Sequence, residues 1–293
     1  MSKLTVLITG ASGQHGGAIA RRLLERGHQV RAYTRKADAP AAQELRKLGA
    51  QIVPGSFEDA AALEQAARGT DVTFLRGTPY EAGIEAETRQ GLAAFEAIRR
   101  ARPGHVVYSS VANADQNTGI PHFDSKVPVE RAVAASGLPY TIVAPVFFMD
   151  NLRSPWWLPG LQQGAWTLAM PRGRKLQQVP VADLGRFGAH VVENHAKFQG
   201  QRIDVASDEL SGEEVVAILS RVSGRTITYQ EIPLDAVRAS NEDFARMLEW
   251  FDKVGYSADI AGLRQRYPEV GWQTFEQWAK AQDWSVLNHP VAG

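Results

Sequence analysis

The chain has 293 residues, 44% of them hydrophobic, and 32 Lys+Arg against 32 Asp+Glu, for a formal net charge of zero. That length suits one large domain or two closely joined ones, and the balance points to neither a nucleic-acid surface nor an anionic membrane. With no cysteine, disulfides, thiolate nucleophiles and cysteine-ligated metals are excluded, and a reducing, cytoplasmic setting fits.

The run Leu4-Thr5-Val6-Leu7-Ile8 reads as a strand buried on both faces of a parallel sheet. It begins almost at Met1, which is expected to leave no room for a signal peptide, and no apolar run reaches bilayer length. Gly10, Gly13 and Gly16 follow, then the helix-period residues Ile19, Leu23 and Leu24. Strand, glycine turn and helix in that order are the context a dinucleotide-binding turn requires. Gly10 would turn the chain off the strand, and Gly13 and Gly16 would let backbone N–H groups approach a pyrophosphate.

Gln29 to Tyr33 reads as the second strand, followed by Thr34-Arg35-Lys36. An acid after this strand would favour NAD; Arg35 there suits the 2′-phosphate of NADP(H), the alternative being ordinary surface charge. A helix over Ala39–Leu48 leads to the strand Gln51–Pro54, then Gly55-Ser56-Phe57, where Phe57 either leans on adenine or enters the core. Asp59–Arg68 is a short helix, Asp71–Leu75 the fourth strand, and Arg76-Gly77-Thr78-Pro79 a loop placed to cover the pyrophosphate and nicotinamide ribose. Glu81–Arg100 is a long helix with Leu92, Phe95 and Ile98 at core spacing, and His105–Ser110 the fifth strand. The alternation predicts an α/β, doubly wound parallel sheet.

A polar loop, Asn113–Gly119, precedes His122-Phe123-Asp124-Ser125-Lys126, with Val129, Val133 and Ala134 continuing a helix face. His122 and Lys126 would share one face at i, i+4. Tyr140–Ala144 is the sixth strand and runs into Pro145-Val146-Phe147-Phe148-Met149-Asp150-Asn151. The stretch with Trp156, Trp157 and Trp166 reads as irregular, its aromatics either sealing a loop or lining a pocket. Asp183 is expected to cap a helix through Val192; Arg202–Ala206 is a late strand, Gly212–Val222 a helix, Thr226–Gln230 a strand and the remainder mainly helical.

With these residues in place the chain resembles the NmrA-like members of the atypical short-chain dehydrogenases. The resemblance rests on the glycine turn, Thr34-Arg35, the His122/Lys126 pair, Phe147 to Asn151, Val179 to Gly185 and Phe275-x-x-Trp278. It implies a Rossmann domain over residues 1–150 and a smaller, mostly helical domain over 151–293, discontinuous, with the late strand returning to the first sheet. It implies NADP(H) held by Gly10, Ser12, Gly13, Gln14, His15, Gly16, Arg35, Lys36, Ser56, Phe57, Gly77, Thr78, Ser109, Ser110, Lys126, Pro145, Val146 and Phe148. Phe147, Phe148, Asn151, Trp156 and Trp157 would meet a flat aromatic or quinone-like substrate. The family's usual Tyr-x-x-x-Lys is here His122-x-x-x-Lys126, so Lys126 is the expected ribose anchor and His122 either a proton donor or a residue turned to solvent. Two functions follow from the resemblance: an NADPH-dependent reductase, or an NADP(H)-sensing regulator that binds a protein partner. Either a monomer or a homodimer is expected.

Overall fold

In the computed structural model, which describes residues 2–77 and 83–288, the chain divides into two compact units. One comprises Met1–Asn117, Pro121–Pro145 and Leu184–Asp204; the other comprises Thr118–Ile120, Val146–Asp183 and Val205–Gly293.

The first unit opens with β1 (Thr5–Thr9), α1 (Gln14–Glu25), β2 (Gln29–Thr34), α2 (Pro40–Lys47), β3 (Gln51–Pro54) and α3 (Ala60–Ala67). It continues with β4 (Val72–Leu75), α4 (Ile84–Ala101), β5 (His105–Ser109), α5 (Pro121–Asp124), α6 (Val127–Ala134) and β6 (Tyr140–Pro145). Between β6 and α8 (Val181–Glu193) come β7 (Phe147–Phe148), α7 (Leu158–Gln162), β8 (Ala165–Leu168) and β9 (Lys175–Val179), which belong to the second unit, and α8 then leads to β10 (Gln201–Val205). The seven-stranded sheet has the order β10-β6-β5-β4-β1-β2-β3, and the pairs from β6 through β3 run parallel. This is the doubly wound fold expected, and its order reverses between β1 and β4. Ligands of such sheets lie beyond the carboxyl ends of the strands at that reversal.

β1 forms on an uninterrupted apolar run. Val6, Leu7 and Ile8 are fully out of water, with Leu7 between Arg31 of β2 and Thr73 of β4. One face of the sheet carries a core of Leu7, Leu63, Phe95, Ile98, Val106, Tyr108, Val129 and Ile142. Each such side chain contributes about 1.5–3 kcal/mol by leaving water. In α4 the buried stripe is Glu87, Gly91, Ala94, Phe95 and Ile98, and Leu92 is 36% exposed. Leu92 therefore departs from expectation: the stripe runs Gly91, Ala94, Phe95, Ile98 at i, i+3, i+4, i+7, and Leu92, one residue on from Gly91 and six before Ile98, falls outside it. Gly91 faces inward because a Cβ there would stand 2.8 Å from Val129 Cγ2. On the opposite side, α8 lies close against α1: Cβ atoms at Gly185 and Gly188 would collide with Ala18 and Ile19.

His122 and Lys126 do not share one continuous helix. His122 lies in the four-residue α5, and Lys126 is the N-cap of α6. Pro128 explains the break: it has no N–H for the carbonyl four residues back, Asp124, and its ring crowds that carbonyl. Ala134, expected on the buried face, is exposed, whereas Val129 and Val133 are buried.

The second unit is less regular in sequence than in structure. The tryptophan-rich stretch read as irregular holds α7, β8 and β9, and a further strand, β11 (Asp208–Ser211), precedes α9 (Gly212–Ser223). β9 is the centre of a three-stranded sheet, parallel to β7 and antiparallel to β11, and β8 pairs in parallel with β12 (Thr228–Glu231). The chain then runs through α10 (Leu234–Ser240), α11 (Glu242–Lys253), α12 (Ile260–Arg266) and α13 (Phe275–Lys280). Asp183 is not the cap of α8 but lies within its first turn, fully buried, accepting Ser207 Oγ at 2.6 Å and the Gln273 amide at 2.9 Å. Among the described residues no helix is long and apolar enough to cross a membrane, and no cluster of His, Asp and Glu could hold a metal.

Candidate functional site

The three glycines of the first turn have three different reasons. Gly10 has φ +63°, a conformation L side chains avoid, and its carbonyl accepts the Gly13 amide at 3.0 Å. A Cβ at Gly16 would stand 2.5 Å from the Gly10 carbonyl oxygen, so Gly16 serves close packing of helix on strand rather than clearance for a ligand. Gly13 is the N-cap of α1, without a side-chain cap, and the first turn of α1 holds no acid. A Cβ there would lie 3.3 Å from the Gly10 oxygen and 3.6 Å from Arg76 Nη1. A bare helix N-terminus beside a guanidinium suits an anion.

Around this turn the first unit brings several candidates together. Ser12 Oγ lies 3.1 Å from Thr34 Oγ1, which also accepts the Lys36 amide at 3.2 Å, so the glycine turn is tied to the end of β2. Arg35 and Lys36 are both exposed there, as is Gln14 on α1. His15 is fully buried, its Nδ1 3.3 Å from Ser109 Oγ and its ring edge-on to Phe74. Burial, then the Arg76 charge, pushes this imidazole down to about 3, so it is a neutral link between α1 and β5. Ser110, just past β5, is 5% exposed and its hydroxyl has no protein partner, while its amide donates to Val143. A buried hydroxyl without a partner is costly unless something else meets it.

Lys126 is held by a residue that the sequence reading passed over. Its Nζ lies 2.5 Å from Glu87 Oε1, and Ser125 Oγ donates to Glu87 Oε2 at 2.7 Å. Burial depresses the ammonium below its ordinary value even against the pull of Glu87. Gly77 belongs to the same group, since a Cβ on it would stand 3.5 Å from Glu87 Oε1. Thr78 lies outside the described residues. His122 is half-buried with its ring edge-on to Phe123, and its carbonyl accepts Ser125 Oγ at 3.1 Å.

The other candidates are placed as follows. The carbonyl of Ser56 accepts the Tyr33 hydroxyl at 2.8 Å, and half-buried Phe57 packs against the core cluster. Pro145 ends β6, its carbonyl accepting the Ala112 amide at 3.0 Å. In the second unit Val146 and Phe147 are buried and Phe148 and Asn151 half-buried. Phe147 meets Trp157 with ring centroids 5.3 Å apart, Trp157 meets Phe244 at 6.3 Å, and Trp156 is 67% exposed. Glu87 is the site residue not anticipated; Arg76 belongs to the loop expected over the pyrophosphate, and its contact with the Gly13 position is what the structure adds.

The fold and the glycine turn define the chain as a Rossmann-type α/β protein. The sequence profile of the NmrA-like family matches residues 2–279, and the chain belongs to that family. It is 31% identical over 238 residues to the (4-alkanoyl-5-oxo-2,5-dihydrofuran-3-yl)methyl phosphate reductase of Streptomyces griseus, covering 80% of this chain and 79% of that one. Among solved structures it is similar to NmrA, a negative transcriptional regulator, in complex with NADP, with a TM-score of 0.79 at 21% identity over 96% of this chain and 95% of that one. It is also similar to an NADPH-dependent quinone oxidoreductase of Escherichia coli complexed with NADPH, with a TM-score of 0.78 at 23% identity over 94% and 98% of the two chains.

Proposed function

We propose that this chain is an NADP(H)-dependent oxidoreductase reducing a small, aromatic, quinone-like or otherwise unsaturated substrate. The observation that carries the reading is the glycine turn beside the reversal of strand order, with Arg76 against Gly13 and the unpartnered Ser110 hydroxyl past β5. The residues present fit a dinucleotide: a turn that a Cβ at Gly13 would crowd, a cation over it, and two exposed cations after β2. The named activity of the Streptomyces griseus relative supports a reductase, and the NADP-bound and NADPH-bound relatives support the cofactor.

When bound, the cofactor supplies the hydride. The backbone at the start of α1 and the Arg76 guanidinium hold the diphosphate, and Arg35 with Lys36 takes the 2′-phosphate. Lys126 donates to the nicotinamide ribose, and Ser110 offers its hydroxyl. His122, Lys126 or a water gives the proton that completes reduction. Phe147, Phe148, Asn151, Trp156 and Trp157 receive the substrate.

A non-catalytic NADP(H)-responsive regulator with a protein partner is the second reading, favoured by the tie of Lys126 to Glu87 and its separation from the helix of His122. The deciding experiment measures NADPH and NADP⁺ affinity together with NADPH oxidation against quinones, enones and imines. Turnover supports the reductase. Tight binding without turnover on any acceptor gives the regulator, and binding of neither nucleotide overturns both.

A further inference from the structure

Glu87 stands in the first turn of α4, 6% exposed, and both its carboxylate oxygens are engaged. The neighbouring Thr88 Oγ1 donates to the Ser125 carbonyl at 2.9 Å. The first turn of α4 thus grips the link Ser125-Lys126 at three points, at the place where Pro128 interrupts the helix. A carboxylate in a first helical turn is favoured by the helix dipole, which offsets part of the cost of its burial.

The groups around Lys126 show why this contact matters. Its side chain is 12% exposed, so its charge needs a close anion. Arg76, at the end of β4, opposes that charge. Glu130 of α6 supports it, but Glu130 Oε2 is taken by Arg202 Nε at 3.2 Å. Tyr108 of β5 lies in the field of Glu87 and Glu130; burial first, and then those two carboxylates, push its phenol well above the ordinary range and leave it neutral. Among these groups Glu87 alone touches the ammonium.

Resting on the reading of Lys126 as the ribose lysine, we propose that Glu87 is a positioning residue: it fixes Nζ in place and keeps it an ammonium, so that Lys126 works as a hydrogen-bond donor and not as a base. The reading that would make Glu87 only a packing residue requires the same contacts but no dependence on its charge.

The test uses the full chain labelled with ¹³Cε-lysine, titrated by NMR without cofactor, the Lys126 signal being assigned by its loss in Lys126→Arg. Glu87→Gln is expected to lower the Lys126 midpoint by one pH unit or more, a tenfold loss of proton affinity, and Glu87→Asp to recover at least half of that shift. NADPH affinity, measured on the same proteins, should fall more for Glu87→Gln at alkaline pH than at neutral pH. An unchanged midpoint in folded Glu87→Gln, or Glu87→Asp behaving like Glu87→Gln, overturns the proposal. Should Glu87→Gln not fold, Glu87→Ala is titrated in its place, and an unmoved Lys126 midpoint in that variant overturns the proposal. The titration needs neither cofactor nor turnover, so its failure is distinct from a failure to bind NADPH.

Discussion

Gly13 and Arg76 meet over the first turn: a Cβ on Gly13 would lie 3.6 Å from Arg76 Nη1. The same guanidinium opposes the protonation of both His15 and Lys126, so its field spans the candidate cofactor site. Arg76→Gln should therefore weaken NADPH binding by about tenfold, one charge-assisted contact, and flatten the dependence of affinity on salt. Titrations at low and high ionic strength check this. Wild-type affinity and wild-type salt dependence in the variant would remove Arg76 from the site.

The distances at the glycines separate folding from binding. Gly16→Ala must push a methyl into the Gly10 carbonyl 2.5 Å away, and overpacking of this kind costs about 1–3 kcal/mol. Gly13→Ala meets the Gly10 oxygen at 3.3 Å, a far smaller intrusion, yet it puts a methyl beside Arg76. Urea unfolding and NADPH titration of the two variants are expected to show opposite patterns, stability lost at Gly16 and affinity lost at Gly13. A Gly13→Ala protein with unaltered affinity would mean that this glycine serves only the turn.

Arg35 and Lys36 stand exposed after β2, where Lys36 is tied by its amide to Thr34. If they receive the 2′-phosphate, the wild type prefers NADPH to NADH. Arg35→Ala should then lose about 1.5–3 kcal/mol of NADPH affinity while NADH affinity barely changes. Competition titrations with both nucleotides decide it, and equal losses for the two would refute the assignment.

How much of this was legible depends on whether the signal is local. β1, β4, β5 and β6 carry apolar runs bounded by glycine, proline or polar residues, and such strands read directly. β7, β8, β9 and β11 do not: β7 is two residues, and β9, Lys175-Leu176-Gln177-Gln178-Val179, carries two glutamines. Gln177 is buried because its amide exchanges hydrogen bonds with the Ala258 backbone, 81 positions away. The turn glycines were visible, but the reason for Gly16 needed the Gly10 carbonyl in place. Glu87 meets Lys126 39 positions away and sits beside the exposed Glu85 in a polar-looking stretch. One signal did exist: Glu87 precedes Gly91, Phe95 and Ile98 at helix period, a carboxylate on the buried face.

Two buried histidines set the response to acid. Burial and the Arg76 charge hold His15 down to about 3, and burial with His195 holds His105 down to about 4, against an ordinary 6.5. The unfolded chain takes up these protons and the folded one does not. Stability is therefore full above pH 6.5 and falls as pH drops through the window down to those values, by about 1.4 kcal/mol per pH unit for each histidine. His15→Gln should lower this slope by one histidine's share. Urea midpoints from pH 7.5 to 5 measure it; parallel curves for variant and wild type would contradict the assignment.

The last prediction concerns the proton. Lys126 is fixed by Glu87 at 2.5 Å, and His122 belongs to a separate short helix with its ring edge-on to Phe123. If Lys126 only holds the ribose, Lys126→Met weakens NADPH binding and lowers the rate at subsaturating cofactor, and the rate at saturating cofactor survives. If it also steers a proton, that saturated rate falls by a further ~10²-fold or more. An ammonium already committed to a carboxylate is a poor source for a second transfer, so the first outcome is expected. His122→Phe keeps a planar ring and removes both nitrogens. Should His122 be the acid, most of the rate goes while NADPH affinity stays. Should water be the acid, His122→Phe leaves the rate within a few-fold and the pH profile unchanged. Steady-state rates of the two variants and the wild type from pH 5.5 to 9, at saturating NADPH, distinguish these cases. Loss of NADPH affinity in His122→Phe would instead show that the ring supports the cofactor site and not the proton.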